Sequence, residues 1–279
     1  MGTRLGAGLS SRQGKIRRQH LEDHQLGRLQ RKTLTMTVPE SACGHQVHRS
    51  TTVEWTGTDS KINFDENIKD AIKSKIIHAM GFDKPGCITY TYNSRGFRDR
   101  EFDNEPSGIA LGCSFTKGVG IPAEHTWPTQ LSNLLKTNIW NLGVGGGSLD
   151  TAYNLLEHYL DELNVQFVVL CVPPMNRFEF FRNEEPMRIM GNHLVAYYQL
   201  YDSFTKEWFA TEKNSLINRR KNLLAMQQMC HQRSIPFYHL YVDTDFRLDR
   251  TARDCMHTGV VPNLEFAVKM HNKITGNNI

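Results

Sequence analysis

The chain has 279 residues and a mass of 32.0 kDa, enough for one large domain or two small ones. With 39% hydrophobic and 22% charged residues it is neither a fully disordered nor a collagenous chain. The net charge of +4 is uneven, because residues 1–50 carry nine Lys/Arg against three acids while the remainder holds 24 bases and 26 acids.

Residues 1–50 read as a basic, solvated and disordered tail. Its clusters Arg17-Arg18 and Arg31-Lys32 are short and no aromatic residue accompanies them, so no specific nucleic-acid partner is expected. Met36 is a candidate true start, and the N-terminus lacks the apolar segment of a secretory signal. The pair His45 and His48 has no further metal-ligating neighbour, so no metal is expected there. Residues 51–107 read as a lead-in segment packed on the core, with an amphipathic helix over 67–80 and a short strand over 88–92. In the basic turn 93–99, the arginines read as surface ion pairs or sheet-edge protection, with substrate contact as the alternative.

Residues 108–279 read as an α/β domain. A strand over 108–114 ends in a tight turn at Ser114, and Thr126 with Pro128 opens a helix to 135. A second strand, 138–144, runs into Gly145-Gly146-Gly147, and Ser148 caps a helix with apolar positions 149, 152, 155, 156, 159, 160 and 163. The third strand, 166–172, is almost wholly apolar, as a parallel strand covered on both faces should be. After a less regular stretch come a helix over 215–231, a strand over 236–242 and a last helix opened by Pro262. The longest apolar run, 167–172, is far short of the ~18–20 residues that span a bilayer, so no membrane span is expected. Six scattered cysteines (43, 87, 113, 171, 230 and 255) suit a reduced, cytoplasmic protein.

Chemistry in such sheets gathers at the carboxyl ends of the strands. Ser114 lies between glycines at a strand-to-helix turn that exposes a side chain and aims backbone N–H groups at one spot. Asp254 and His257 are three residues apart, close enough for the carboxylate to hold one imidazole nitrogen while the other faces a cleft. Gly146 can offer a backbone N–H and Asn176 a side-chain amide to a developing oxyanion. Taken singly, each has a plain structural explanation: a helix cap, a solvated pair, close packing, a turn.

Together and in order, Gly112-Cys-Ser-Phe-Thr, Asn141-Leu-Gly-Val-Gly-Gly-Gly-Ser148 and Asp254-Cys-Met-His257 resemble the SGNH (GDSL-type) hydrolases over about residues 88–275. The 93–99 segment is similar to the lead-in of some microbial and phage-associated members. The resemblance implies a three-layer α/β/α, flavodoxin-like parallel sheet and an esterase without metal or cofactor. It implies Ser114 as nucleophile, His257 as base and Asp254 as its orienter. An oxyanion hole of the Ser114 and Gly146 N–H groups and the Asn176 amide follows from the same match. Two departures stand out: Cys113 replaces the usual acid before the serine, and Pro174-Met175-Asn176-Arg177 replaces the Gly-x-Asn-Asp block. The expected substrate is a small-molecule or glycan-linked acyl ester; an acyltransferase acting on a glycan and a non-catalytic glycan- or protein-binding module stay open. A thiol nucleophile at Cys113 and a nucleotide turn at 145–147 are set aside, the latter for want of a G-x-G-x-x-G. Aromatic residues from Phe178 to Phe209 could line an acyl or sugar site, or form core.

Overall fold

Short strands that are buried along nearly their whole length, with no alternation, belong to a sheet covered on both faces. The computed structural model describes residues 48–182, 185–190 and 202–277. The chain divides into Met1–Thr37, outside the described residues, and Val38–Ile279, to which every described residue belongs. The expectations for residues 1–47, including Met36 and His45, and for Tyr197, Tyr198 and Tyr201 also lie outside them.

The central sheet holds β3 (Ser107–Gly112), β4 (Ile139–Gly143), β5 (Val165–Val172) and β8 (Phe237–Tyr241), all parallel, in the spatial order β4-β3-β5-β8. Numbered among themselves the strands run 2-1-3-4, the flavodoxin-like order, which places a topological switch point between β3 and β5. Ile109 and Leu111 of β3 with Val168, Leu170 and Val172 of β5 face one side. There α5 (Leu149–Glu162) and α7 (Glu212–Gln232) cover them. Ala110, Val169 and Cys171 face the other, under α4 (Trp127–Leu135) and α9 (Val260–Thr275). Connections crossing the sheet in opposite directions thus put their helices on opposite faces, as right-handed crossovers require. The result is the three-layer α/β/α architecture expected.

Local chemistry sets the element ends. Ser148 and Thr151 form a reciprocal capping box at the start of α5. Thr126 occupies the cap position of α4, yet its hydroxyl turns back to the Ala123 carbonyl at 2.9 Å and caps nothing. The single helix expected over 67–80 is two, α1 (Lys61–Lys69) and α2 (Ala71–Ala79). Asp70 breaks them by accepting from the Ile72 and Lys73 N–H groups, a local bond that favours a new start over continuation. The less regular stretch contains an antiparallel hairpin, β6 (Arg177–Arg182) and β7 (Glu185–Met190), and α6 (Asp202–Phe209).

The lead-in is built around its own apolar cluster. β1 (Thr51–Val53) pairs antiparallel with β2 (Tyr90–Tyr92), separate from the main sheet. Ile77, Phe82, Ile88, Tyr90 and Tyr92 pack there with Ile121, Ala252 and Cys255 of the α/β body. Arg98 departs from the surface role expected of it. Buried beside this cluster, it donates to the carbonyls of Thr89, Lys117, Gly118 and Ile121, clamping the loop that follows Ser114.

Candidate active site

After β3 the chain turns at once into a single-turn helix, α3 (Ser114–Lys117). Gly112 makes that reversal possible: it has φ +152, and a Cβ there would stand 2.1 Å from Thr116 Oγ1 and 2.8 Å from the Cys171 carbonyl oxygen. Only glycine allows the backbone so close. Cys113 points into the core under α4 and α9, away from the cleft, and Ser114 takes the opposite side. The first amides of a helix have no intrahelical acceptor, and the Ser114 N–H is the first of α3.

Asp254 and His257 sit in the turn before α9. His257 Nε2 lies 2.7 Å from Ser114 Oγ, and His257 Nδ1 lies 2.6 Å from Asp254 Oδ2. An ionised carboxylate can only accept, so Nδ1 carries the ring proton and Nε2 is free to accept from the serine. Burial alone would raise the Asp254 carboxyl. The His257 ring, its charge and its backbone N–H, with the Thr58 hydroxyl, outweigh that and hold the carboxyl below its ordinary value. Thr58 Oγ1 donates to Asp254 Oδ2 at 2.7 Å, the Met256 and His257 N–H groups donate to Oδ1, and Asn67 holds the Asp254 carbonyl. Its neighbour Arg253 donates to both oxygens of Asp59 at 2.7–3.1 Å, with each side chain 1% exposed. Tyr90 donates its hydroxyl to Asp59 and accepts from the Gly120 N–H.

The glycine run forms a turn closed by the Gly147 N–H on the Val144 carbonyl at 3.0 Å, with Gly146 at φ +71. Gly145 and Gly146 line the same cavity as Ser114 and His257, about 560 Å³ in volume. Asn141 does not reach it. Its side chain accepts from the Gly143 N–H and donates to the Thr116 carbonyl, tying the end of β4 to α3. Asn176 is half-buried and absent from the cavity wall; Arg177 lines it instead. Arg177 is the first residue of β6, and Asn176 lies just before it. Of the expected site residues, Ser114, His257 and Gly146 therefore meet in one cavity with Asp254 behind His257. Asn176 does not join them. Phe178 stacks on Phe180 and packs at a tilt against Trp208 and Phe209, and none of the four is part of the cavity wall.

Lys117 also lines the cavity, 4.9 Å from the Tyr92 ring centre, and burial pushes its ammonium down to about 8, with Arg98 and Arg188 acting in the same direction. Sequence reasoning missed Thr58, Asp59 and Lys117. The turn-forming run Thr56-Gly-Thr-Asp59 was the available signal for the first two.

A serine–histidine–carboxylate line at the carboxyl end of a parallel sheet defines the site. No protein-family model matches the chain, and no curated protein matches it. Solved structures that resemble it include AlinE4, an SGNH-hydrolase family esterase, at 17% identity and TM-score 0.32 over 50% of this chain and 60% of that one. A family 3 carbohydrate esterase of Clostridium thermocellum is similar at 14% identity and TM-score 0.35, over 61% of this chain and 94% of that one. The acetyl xylan esterase Est2A of the rumen bacterium Butyrivibrio proteoclasticus is similar at 12% identity and TM-score 0.37, over 64% and 65%. This chain thus spans 60% of the AlinE4 chain, and the activities are those of the proteins named.

Proposed function

We propose that the protein is a serine hydrolase that cleaves ester-linked acyl groups without a metal. The contact carrying this reading is the 2.7 Å approach of His257 Nε2 to Ser114 Oγ, with Asp254 2.6 Å behind the ring. A serine hydroxyl attacks a carbonyl only if a base takes its proton as it does so. His257 is that base, and Asp254 fixes its tautomer and stabilises the imidazolium that forms. The oxyanion then falls to the Ser114 N–H and the Gly146 N–H, each such donor being worth about 3–4 kcal/mol. The imidazolium returns the proton to the departing alcohol, and water repeats the sequence on the acyl-serine. A sugar hydroxyl replacing that water would make the protein a transferase with the same residues.

Labelling with a fluorophosphonate probe tests the proposal. Wild type should label, and both Ser114→Ala and His257→Ala should abolish the label. A folded wild type that never labels refutes the hydrolase and leaves a binding module; a label surviving Ser114→Ala refutes the choice of nucleophile.

A further inference from the structure

Among the described residues, two half-buried cations without a carboxylate partner share the cavity of Ser114. Arg253 has Asp59, Arg188 has Glu179 at 2.8 Å, and Arg98 has four carbonyls. Lys117 and Arg177 line the cavity, and neither forms an ion pair with any described residue. Lys117 Nζ reaches the Thr56 hydroxyl at 3.4 Å and the Tyr92 ring centre at 4.9 Å, both neutral. Arg177 reaches the Gly147 carbonyl at 3.3 Å, and its Nε is buried with no partner. Among the described residues no Asp or Glu lines the cavity. The Asp254 carboxylate stands behind His257 and is already taken by four donors.

A cation partly withdrawn from water without a counter-ion is costly. Two in one cavity, beside a serine poised for attack, fit a ligand that brings the missing charge. We propose that the site selects esters carrying an anionic group, a carboxylate, phosphate or sulfate, and that Lys117 and Arg177 bind that group. The inference rests on the serine-hydrolase reading. Lys117 stands beside Thr56 and Tyr92 of the lead-in, and Arg177 beside the glycine turn, with Met190 as its register partner on β7. The anion can thus sit on the acyl or on the alcohol side.

Two matched ester pairs decide both the charge and its side. p-Nitrophenyl hemisuccinate against its methyl ester places the charge on the acyl group; 4-acetoxybenzoate against its methyl ester places it on the alcohol. In at least one pair the anionic ester should show about ten-fold higher kcat/KM at low salt, falling as ionic strength rises. That ratio should fall in both Lys117→Gln and Arg177→Gln, since both cations hold the anion. Equal or faster turnover of both neutral esters overturns the inference while leaving the hydrolase standing, and so does an anion preference that survives either substitution. If the wild type neither labels nor cleaves any of the four, the hydrolase reading has failed. Calorimetric titration of Ser114→Ala with the intact esters reads the charge preference without turnover, and equal affinity for charged and neutral partners refutes it.

Discussion

Replacing Asp59 with asparagine removes the carboxylate that neutralises Arg253. Both side chains are 1% exposed, and the carboxylate also accepts from the Tyr90 hydroxyl at 2.5 Å. In the variant the guanidinium keeps the Glu54 carbonyl at 2.6 Å and the Trp55 ring face at 4.0 Å, both of them neutral. Breaking a buried pair from one side costs about 3–5 kcal/mol, because the remaining charge is stranded. For a unit of this size each kcal/mol lowers Tm by about 2–4 °C, so the expected fall is about 6–20 °C. Urea unfolding followed by tryptophan fluorescence, alongside calorimetry, measures it. A double variant, Asp59→Asn with Arg253→Met, should recover part of the loss, since no charge is then left buried. A single variant within about 0.5 kcal/mol of wild type, the size of an ordinary surface change, would show that Arg253 is solvated and refute the reasoning.

Thr58→Val keeps the shape but removes a hydrogen bond to the ionised Asp254. The expected loss, about 1.5–3 kcal/mol of support for that carboxylate, should lower kcat at least ten-fold with little change in KM; Thr58→Ser should restore most of it. Gly112→Ala drives a Cβ to 2.1 Å from Thr116 Oγ1 and 2.8 Å from the Cys171 carbonyl, and should cost about 1–3 kcal/mol in urea unfolding. Burial lifts the Asp99 carboxyl to about 6, against the N–H groups of Asn141 and Arg100 that favour its charged form. The folded state therefore holds a proton that the unfolded state has released between about pH 4 and 6, so stability falls as pH rises through that window and is level above it. Asp99→Asn should remove that slope from unfolding curves taken between pH 4 and 8.

Ser114, Gly146 and the Asp254–His257 pair were legible because each sits where a local pattern changes: a strand end between glycines, a glycine run before a capped helix, a turn before the last helix. The strands were legible from composition, since 166–172 is apolar enough to require cover on both faces. What escaped is what local patterns do not encode. Thr58 and Asp59 are polar residues in a turn, and only tertiary packing buries them against the 252–257 segment. Arg98 reads as a surface arginine until the carbonyls of the 117–121 loop close around it. Asn176 carries the residue type of an oxyanion donor, but the Arg177 that opens β6 takes the place in the cavity wall.

The reach of the lead-in bears on when the serine–histidine–carboxylate line forms during synthesis. Thr58 waits 196 residues for Asp254, Asp59 waits 194 for Arg253, and Ser114 waits 143 for His257. On a ribosome the strand–helix units that carry Ser114 are complete while the 252–257 turn is still unmade. A nascent chain therefore holds an unarmed serine and an unpaired Asp59, and both are resolved when one short stretch docks. Completion of the Ser114–His257–Asp254 line and closure of the lead-in cluster are then a single late event, and, under the proposed function, a ribosome stalled before residue 250 should hold a chain that no serine-directed probe can mark.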